Sequence, residues 1–212
     1  MSLLRAMTEW RSCCAACLLM LALPASASWD DARAVVEQAT GEMMTLLADP
    51  ALRDEANFEA LFAGVDQILT PVVDFEVVSR GVMGKYYRRA TPAEQQRFAE
   101  VFKGTLIKTY AKALAAFQFE RYEVVPNRAP SKKPHQQLVR VDVIDSNGTR
   151  YELAYFMVRD DSGWRLTNVV LDGINLRQVF RNQFADALNT RGEIGAVIDA
   201  WADLVDQPGK ET

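Results

Sequence analysis

Few residues of this 212-residue chain have the types and spacing that catalysis needs. His135 is the only histidine and stands in a proline-rich loop, and the three cysteines are Cys13, Cys14 and Cys17. With one histidine, a Ser–His triad has a single possible base and a zinc site lacks its usual ligands. The sequence also has no Gly-x-Ser-x-Gly and no glycine-rich phosphate loop. It therefore does not predict an enzyme, a metal site or a cofactor.

Lys85, Arg88 and Arg89 form a basic cluster next to Tyr86. Their positions i, i+3 and i+4 place them on one side of a possible helix. Such a cluster can contact an acidic partner or a phosphate group, and a tyrosine hydroxyl can bind phosphate oxygens beside it. The alternative is a helix face that only meets water.

The strongest local pattern runs from Gly84 to Phe117. Thr91 fits the N-cap of a helix, Pro92 its first position and Glu94 the reciprocal partner of a capping box. Large apolar residues then recur every three to four positions, which predicts a long helix with one apolar face. That face must lie against a filled protein core or against a core that opens to hold an apolar ligand.

Three further helices are predicted before this one. Their apolar periodicity covers Trp29 to Ala48, Phe58 to Leu69, and about Val72 to Ala90. Gly81 and Gly84 interrupt the third pattern and weaken the prediction of a continuous helix.

The pattern changes to a period of two after Phe117. Alternation predicts four strands: Phe119 to Val125, Gln137 to Asp145, Thr149 to Arg159 and Trp164 to Leu171. Tight turns such as Asn147-Gly148 make neighbouring strands antiparallel, because parallel pairs need long crossovers. We expect Asp172-Gly173 to end the sheet. Two helices are then expected to close the chain, from Ile174 to Leu188 and from Ile194 to Val205.

The N-terminal segment has the pattern of a secretory signal peptide. Arg5 and Arg11 give a positive start, residues 13–23 form an apolar run, and Ala25-Ser26-Ala27 is a cleavage signal. The run is too short to span a bilayer as a helix. We expect residues 1–27 to be removed and the mature chain to be exported. The alternative is a lipoprotein anchored at Cys17.

Cleavage would leave 185 residues without a cysteine, so the exported chain would be held together by core packing alone. A domain of that length buries roughly 70% of its unfolded surface. The mature chain would carry 22 basic and 27 acidic residues, a net charge of −5. This balance argues against nucleic acid as a partner and against permanent adhesion to anionic lipid.

Four segments, in order, resemble the MlaC family of periplasmic phospholipid-binding proteins, also called toluene-tolerance proteins. The first two are LTPVVDFEVVSRGVMG and the stretch from Gly84 to Phe117, and the third is the turn Asp145-Ser146-Asn147-Gly148. In the fourth, the residues that match the family's C-terminal pattern are Gly173, Ile174, Leu176, Arg181 and Phe184. The loop RAPSKKPHQQ departs from the family pattern.

The resemblance implies a non-enzymatic carrier that shuttles phospholipid across the periplasm and maintains outer-membrane lipid asymmetry. Its partners would be an outer-membrane lipoprotein complex and an inner-membrane ABC-transporter complex of the Mla type, contacted transiently by a monomer. The implied fold is α+β: a four-stranded curved antiparallel sheet with helices packed on one face, enclosing an apolar cavity in the general shape of an NTF2-like cone. Residues 28–206 would form this single domain, with a loose tail at 207–212.

A carrier of this kind must offer extensive apolar surface, since burying an acyl chain gains roughly 0.8 kcal/mol per CH₂. The residues expected to line the cavity come from both layers: Phe75, Val78, Phe102, Leu106, Tyr110, Val139, Val141, Val143, Leu153, Tyr155, Met157, Trp164, Val169, Leu171 and Ile174. Tyr86, Lys85, Arg88 and Arg89 would contact the head group or a partner. Bound phospholipid would be cargo, with no cofactor.

Three alternatives stay open. A hopanoid-associated branch shares the family pattern, so the cargo could be another apolar lipid. An enzyme on the same cone-shaped fold would need an ionisable residue pointing into the cavity. An interaction module would have a filled core without room for acyl chains.

Overall fold

A computed structural model describes residues 29–127 and 131–205. The predicted signal peptide and the predicted tail lie outside the described residues. Among the described helices, none combines the length and the apolar character needed to span a bilayer.

Four α-helices precede the sheet. They are α1 (Trp29–Leu47), α2 (Phe58–Leu69), α3 (Phe75–Met83) and α4 (Pro92–Ala116), and short 3₁₀ helices lie at Pro50–Arg53, Glu55–Asn57 and Gly84–Arg89. The capping box at the start of α4 is confirmed. The Thr91 hydroxyl accepts a hydrogen bond from the Glu94 N–H, and the Thr91 N–H donates to the Glu94 carboxylate at 2.8 Å.

The predicted extent of the third helix, Val72 to Ala90, is wrong. α3 ends at Met83 because Gly84 adopts a φ of 55°, in the region that favours glycine. The chain continues as the 3₁₀ helix Gly84–Arg89. The basic cluster therefore lies on a tighter helix of about three residues per turn.

In the described part of the chain, five antiparallel strands form one sheet in the order β1-β2-β3-β4-β5. They are β1 (Phe119–Val125), β2 (Gln136–Asp145), β3 (Arg150–Asp160), β4 (Gly163–Leu171) and β5 (Ile174–Asn175). The predicted meander is confirmed, but the predicted count of four strands is wrong. Asp172 and Gly173 do not end the sheet. They have φ values of 48° and 81° and form a two-residue turn that returns the chain as β5.

Two helices follow β5: α5 (Leu176–Arg191) and α6 (Ile194–Val205). α5 begins two residues later than expected, because Ile174 and Asn175 pair with β4. The Asn175 side chain then caps the helix by accepting a hydrogen bond from the Gln178 N–H at 3.1 Å. Gly192, in the left-handed region, ends α5.

The chain between α2 and α3 is tied to the edge of β4. The Leu166 N–H donates to the Val72 carbonyl at 2.7 Å, and the Asp74 N–H donates to the Leu166 carbonyl at 2.9 Å. Arg165 adds a hydrogen bond from its guanidinium to the Val73 carbonyl at 2.7 Å. These bonds place α3 next to β4.

The buried apolar residues form three clusters. The helical cluster joins α3, the 3₁₀ helix, α4, α5 and α6, and its large members are Met83, Phe98, Phe102, Phe180, Phe184, Leu188, Ile198 and Trp201. The sheet cluster joins α1 to the sheet through Ala32, Val36, Val139, Val141, Val143, Met157 and Trp164. A third cluster joins α1, α2 and α4. A mixed helix and antiparallel-sheet fold is thus confirmed, while the NTF2-like cone stays a prediction.

Candidate functional site

The apolar residues predicted on the sheet share one face, here called the inner face. Strand register pairs Val139 with Tyr155 and Val141 with Leu153. It also pairs Tyr155 with Val169 and Leu153 with Leu171. Directly paired residues of neighbouring strands point to the same side of a sheet. The inner face is therefore continuous across β2, β3 and β4.

Burial on the inner face decreases from β2 to β4. Val139 and Val141 are fully buried in the sheet cluster, where α1 covers them. Leu153 and Tyr155 on β3 are only half-buried, as are Val169 and Leu171 on β4. The half-buried apolar residues of the inner face therefore lie toward β4, the strand that α3 and α5 contact.

Tyr155 is an ionisable residue on the half-buried part of the inner face. Its side chain is half-buried, yet burial among protein atoms raises the pKa of its hydroxyl to about 12. The hydroxyl is neutral at physiological pH.

Half-buried apolar side chains also remain on the helices. Val78 of α3, Leu106 of α4 and Leu176 of α5 pack at the border of the helical cluster. Phe102 differs from them because it is fully buried, with its ring centroid 5.7 Å from that of Phe98 and 5.5 Å from that of Phe180. Phe102 thus fills a packed core.

An exposed apolar rim lies where α4, α5 and β5 meet. Its members are Tyr110, Ile174 and Val179, which are 41%, 57% and 39% exposed. Ile174 and Val179 occupy the N′ and N4 positions of α5, the spacing of a hydrophobic staple. The Tyr110 ring centroid is 6.4 Å from that of Phe180, and burial raises the pKa of the Tyr110 hydroxyl.

Val179 was not among the predicted site residues. The signal for it was present, because an asparagine cap flanked by apolar residues at N′ and N4 is a known helix-start pattern. Phe156 is the other large apolar side chain with high exposure in the described part of the chain, at 41%. Phe156 lies on the outer face of the sheet, where it pairs with Leu138 of β2.

The sheet cluster and the helical cluster share no residue within 29–127 and 131–205. Their borders carry the half-buried apolar side chains described above.

The basic cluster lies at the surface, against the C-terminal part of α5. Lys85 Nζ is 5.0 Å from the centroid of the Tyr86 ring and Arg89 Cζ is 5.6 Å from it. Lys85, Tyr86 and Arg89 line a groove of about 510 Å³ together with Leu188, Asn189 and Gly192. Arg88 is exposed and does not line this groove.

Phe75 lies apart from the other residues predicted to line a cavity. It lines a second groove of about 410 Å³ with polar and charged residues, including Asp74, Lys103 and Arg165. The Lys103 ammonium lies 5.7 Å from the centroid of the Phe75 ring. The assignment of Phe75 and the other lining residues to a ligand site stays a prediction.

The described residues contain no group of three or more His, Cys, Asp and Glu side chains that could hold a metal ion. His135 is exposed. What the arrangement offers chemically is half-buried apolar side chains on the sheet and on the helices, with hydroxyl groups at Tyr110 and Tyr155 and cations at the surface near α5.

Comparison with known proteins gives consistent matches. The family model described as MlaC protein matches residues 37–203. The toluene tolerance protein ttg2D of Pseudomonas putida is 35% identical over 173 residues, which are 81% of this chain and 80% of that protein. The intermembrane phospholipid transport system binding protein MlaC of Haemophilus influenzae is 24% identical over 143 residues, 66% of each chain. None of these names describes an enzyme.

A solved structure is also similar. It is that of the phospholipid-binding protein from Ralstonia solanacearum in complex with a phospholipid. It shares 33% sequence identity with this chain and has a TM-score of 0.73. The match covers 83% of this chain and 97% of the other.

Proposed function

The chain belongs to the MlaC family, and on this premise we propose that it is a non-enzymatic periplasmic carrier that binds phospholipid. A relative of similar fold and 33% identity was solved with a phospholipid bound. The observation in this chain that carries the proposal is that half-buried apolar side chains remain both on the inner face of the sheet and at the border of the helical cluster.

The acyl chains would lie between the inner face of β3 and β4 and the helices α3 to α5. Leu153, Tyr155, Val169 and Leu171 would contact them from the sheet. Leu106 would contact them from the helices, and the rim would mark where they reach solvent. Residues 28–206 would act as one lipid-binding domain.

The energetics of acyl burial explain why a carrier must shield its cargo. Two chains with about 30 CH₂ groups gain on the order of 20 kcal/mol on leaving water. A lipid held this strongly does not pass through water at a useful rate. We therefore propose that the carrier exchanges lipid in direct contact with an outer-membrane lipoprotein complex and an inner-membrane ABC-transporter complex, and so maintains outer-membrane asymmetry.

The lipid head group or one of these partners would be contacted by Lys85, Tyr86, Arg88 and Arg89.

Native mass spectrometry of the mature protein, purified from periplasm without detergent, tests the proposal. We expect bound masses that match diacyl phospholipids and that organic solvent releases. A protein of the bare polypeptide mass, with no lipid in the extract, would contradict it. Bound hopanoid masses would keep the fold and replace the cargo.

A further inference from the structure

Positive charge is concentrated in two neighbouring segments of an acidic chain. Residues 77–91 contain Arg80, Lys85, Arg88 and Arg89 and no acidic residue. Residues 176–192 contain three arginines and one acidic residue. The rest of the chain carries 17 basic and 27 acidic residues. The seven cations, here called the basic face, therefore stand out from the remainder of the molecule.

Two glycines bring these segments together. Arg177 of α5 lies over Gly81 so closely that a Cβ there would be 2.6 Å from the arginine Cδ. Arg181, one turn later, lies over Gly84, where a Cβ would be 3.0 Å from its Cδ. The arginine stems thus lie across the surface of α3 and the 3₁₀ helix, which restricts the positions that their guanidinium groups can take.

The groove of about 510 Å³ continues this surface to the end of α5, because Lys85 and Arg89 line it with Leu188, Asn189 and Gly192. Arg191, the third arginine of α5, adjoins Gly192 in the chain.

The cations of the basic face have no carboxylate partner among the residues that the structure describes. Within residues 29–127 and 131–205, no Asp or Glu oxygen lies within 4.0 Å of any of them. The acidic residue of the α5 segment, Asp186, is seven positions after Val179 and so shares the side of α5 that carries Val179. Arg177 and Arg181, four positions apart, occupy the other side.

The composition of the basic face favours a protein partner over a membrane surface. Peripheral membrane binding combines cations with apolar side chains that enter the lipid. The exposed large apolar residues of the described chain are Tyr110, Phe156, Ile174 and Val179, and none belongs to the basic face. Six of its seven cations are arginines, whose planar guanidinium pairs with a carboxylate through two parallel hydrogen bonds.

We propose that the basic face is a docking surface for an acidic protein surface, one that presents clustered Asp and Glu side chains to α3, the 3₁₀ helix and α5. The inference rests on the proposed carrier function, because only a carrier that exchanges lipid in direct contact needs such a partner. The basic face lies on the side of α5 away from the rim, so docking would leave the rim free.

The test uses the lipid-loaded mature chain and a fluorescein-labelled poly-L-glutamate peptide, with binding measured by fluorescence anisotropy. We expect the wild type to bind this acidic probe although its own net charge is negative. The double variant Arg181→Glu/Arg191→Glu, at two exposed cations of the basic face, should bind about tenfold more weakly. The matched control Arg53→Glu/Lys133→Glu makes the same charge change at exposed cations elsewhere, and its affinity should stay within about twofold of wild type.

Three results would overturn the proposal: no binding by the wild type, an equal loss of binding in the control, or co-sedimentation of the wild type with phosphatidylglycerol vesicles that the basic-face double variant loses. The last would assign the basic face to a membrane. Native mass spectrometry of the same samples distinguishes a failure of the carrier proposal from a failure of the docking proposal. Absence of lipid from the wild type and the variants alike would count against the carrier function. Loss of peptide binding in a variant that retains its lipid would show that only docking is affected.

A second variant tests the geometry without changing any charge. Gly81→Ala places a methyl group against the Arg177 stem, which must move. Gly104→Ala on α4 is the control, because a Cβ there has no neighbour within 4 Å. We expect Gly81→Ala to weaken binding of poly-L-glutamate about threefold and Gly104→Ala to leave it unchanged. Equal affinities for both variants would show that the arginines are not held in place by this packing.

Discussion

Asp66 joins α2 to α4 through hydrogen bonds to its carboxylate. Lys103 Nζ lies 2.7 Å from one oxygen, and the Thr70 hydroxyl donates to the same oxygen at 2.9 Å. The hydrogen bond from Lys103 lowers the pKa of the Asp66 carboxyl below its ordinary value of 3.8; partial burial opposes this and the bond from Thr70 adds to it. The ionised form is therefore preferred in the folded chain.

This preference predicts how stability depends on pH. Because the pKa is lower in the folded than in the unfolded chain, the pair stabilises the fold above pH 3.8 and its contribution disappears as pH falls through the folded value. We expect Asp66→Asn to lower the free energy of unfolding by about 0.5 kcal/mol near neutral pH, since the pair is partly exposed. Urea unfolding of both proteins over a series of pH values measures the difference. A difference that persists at strongly acidic pH would assign the effect to packing instead of charge.

At the level of helices and strands, α4 depends on its N-terminal cap. Thr91→Ala removes the hydroxyl that accepts the Glu94 N–H, so we expect the free energy of unfolding to fall by about 1 kcal/mol. Thr45→Ala is the control, because its exposed hydroxyl only bonds back to the Gly41 carbonyl within α1. That change should be neutral or slightly stabilising. Urea unfolding midpoints for the two variants distinguish a capping effect from a general effect of losing a threonine.

Most strands and helices could be predicted because their signals are local. Alternation bounded by turns located β1 to β4 to within one or two residues, and the cap located the start of α4. The errors also have local causes. Asp172-Gly173 is a hairpin turn signal, but only two residues of strand follow it before the helical pattern begins. Gly84 ends α3 through its positive φ, and the apolar periodicity used to predict the helix carries no information on backbone conformation.

At the scale of the whole molecule, the proposed site predicts the effect of filling the space between the layers. Leu153→Trp adds bulk on the inner face, where Leu153 is half-buried. We expect it to lower bound phospholipid about tenfold while the chain still folds. Phe156→Trp adds a similar ring to the opposite face of the same strand and should leave lipid content unchanged. Native mass spectrometry reports the lipid, and circular dichroism reports folding. Equal lipid content in both variants would remove Leu153 from the site.

The candidate site itself could be predicted only in part. The sequence identified the inner face of the sheet because strand alternation assigns side chains to faces. It could not separate Phe102 from Leu106, which belong to one apolar stripe one turn apart on α4. Phe102 is enclosed by aromatic rings from α5 and α6, whereas Leu106 is half-buried at the cluster's border. The difference depends on helices that follow much later in the chain, and so does the meeting of Arg177 with Gly81.

The separation of the helical cluster from the sheet cluster bears on how the protein unfolds. Cooperative unfolding requires that two parts share enough contacts for neither to open alone. Acyl chains between the layers would supply those contacts and would stabilise only the state in which both layers are folded. Cargo would then complete the hydrophobic core. The empty protein would open in parts, with faster amide exchange in both clusters, and proteolysis would distinguish an unloaded molecule from a loaded one.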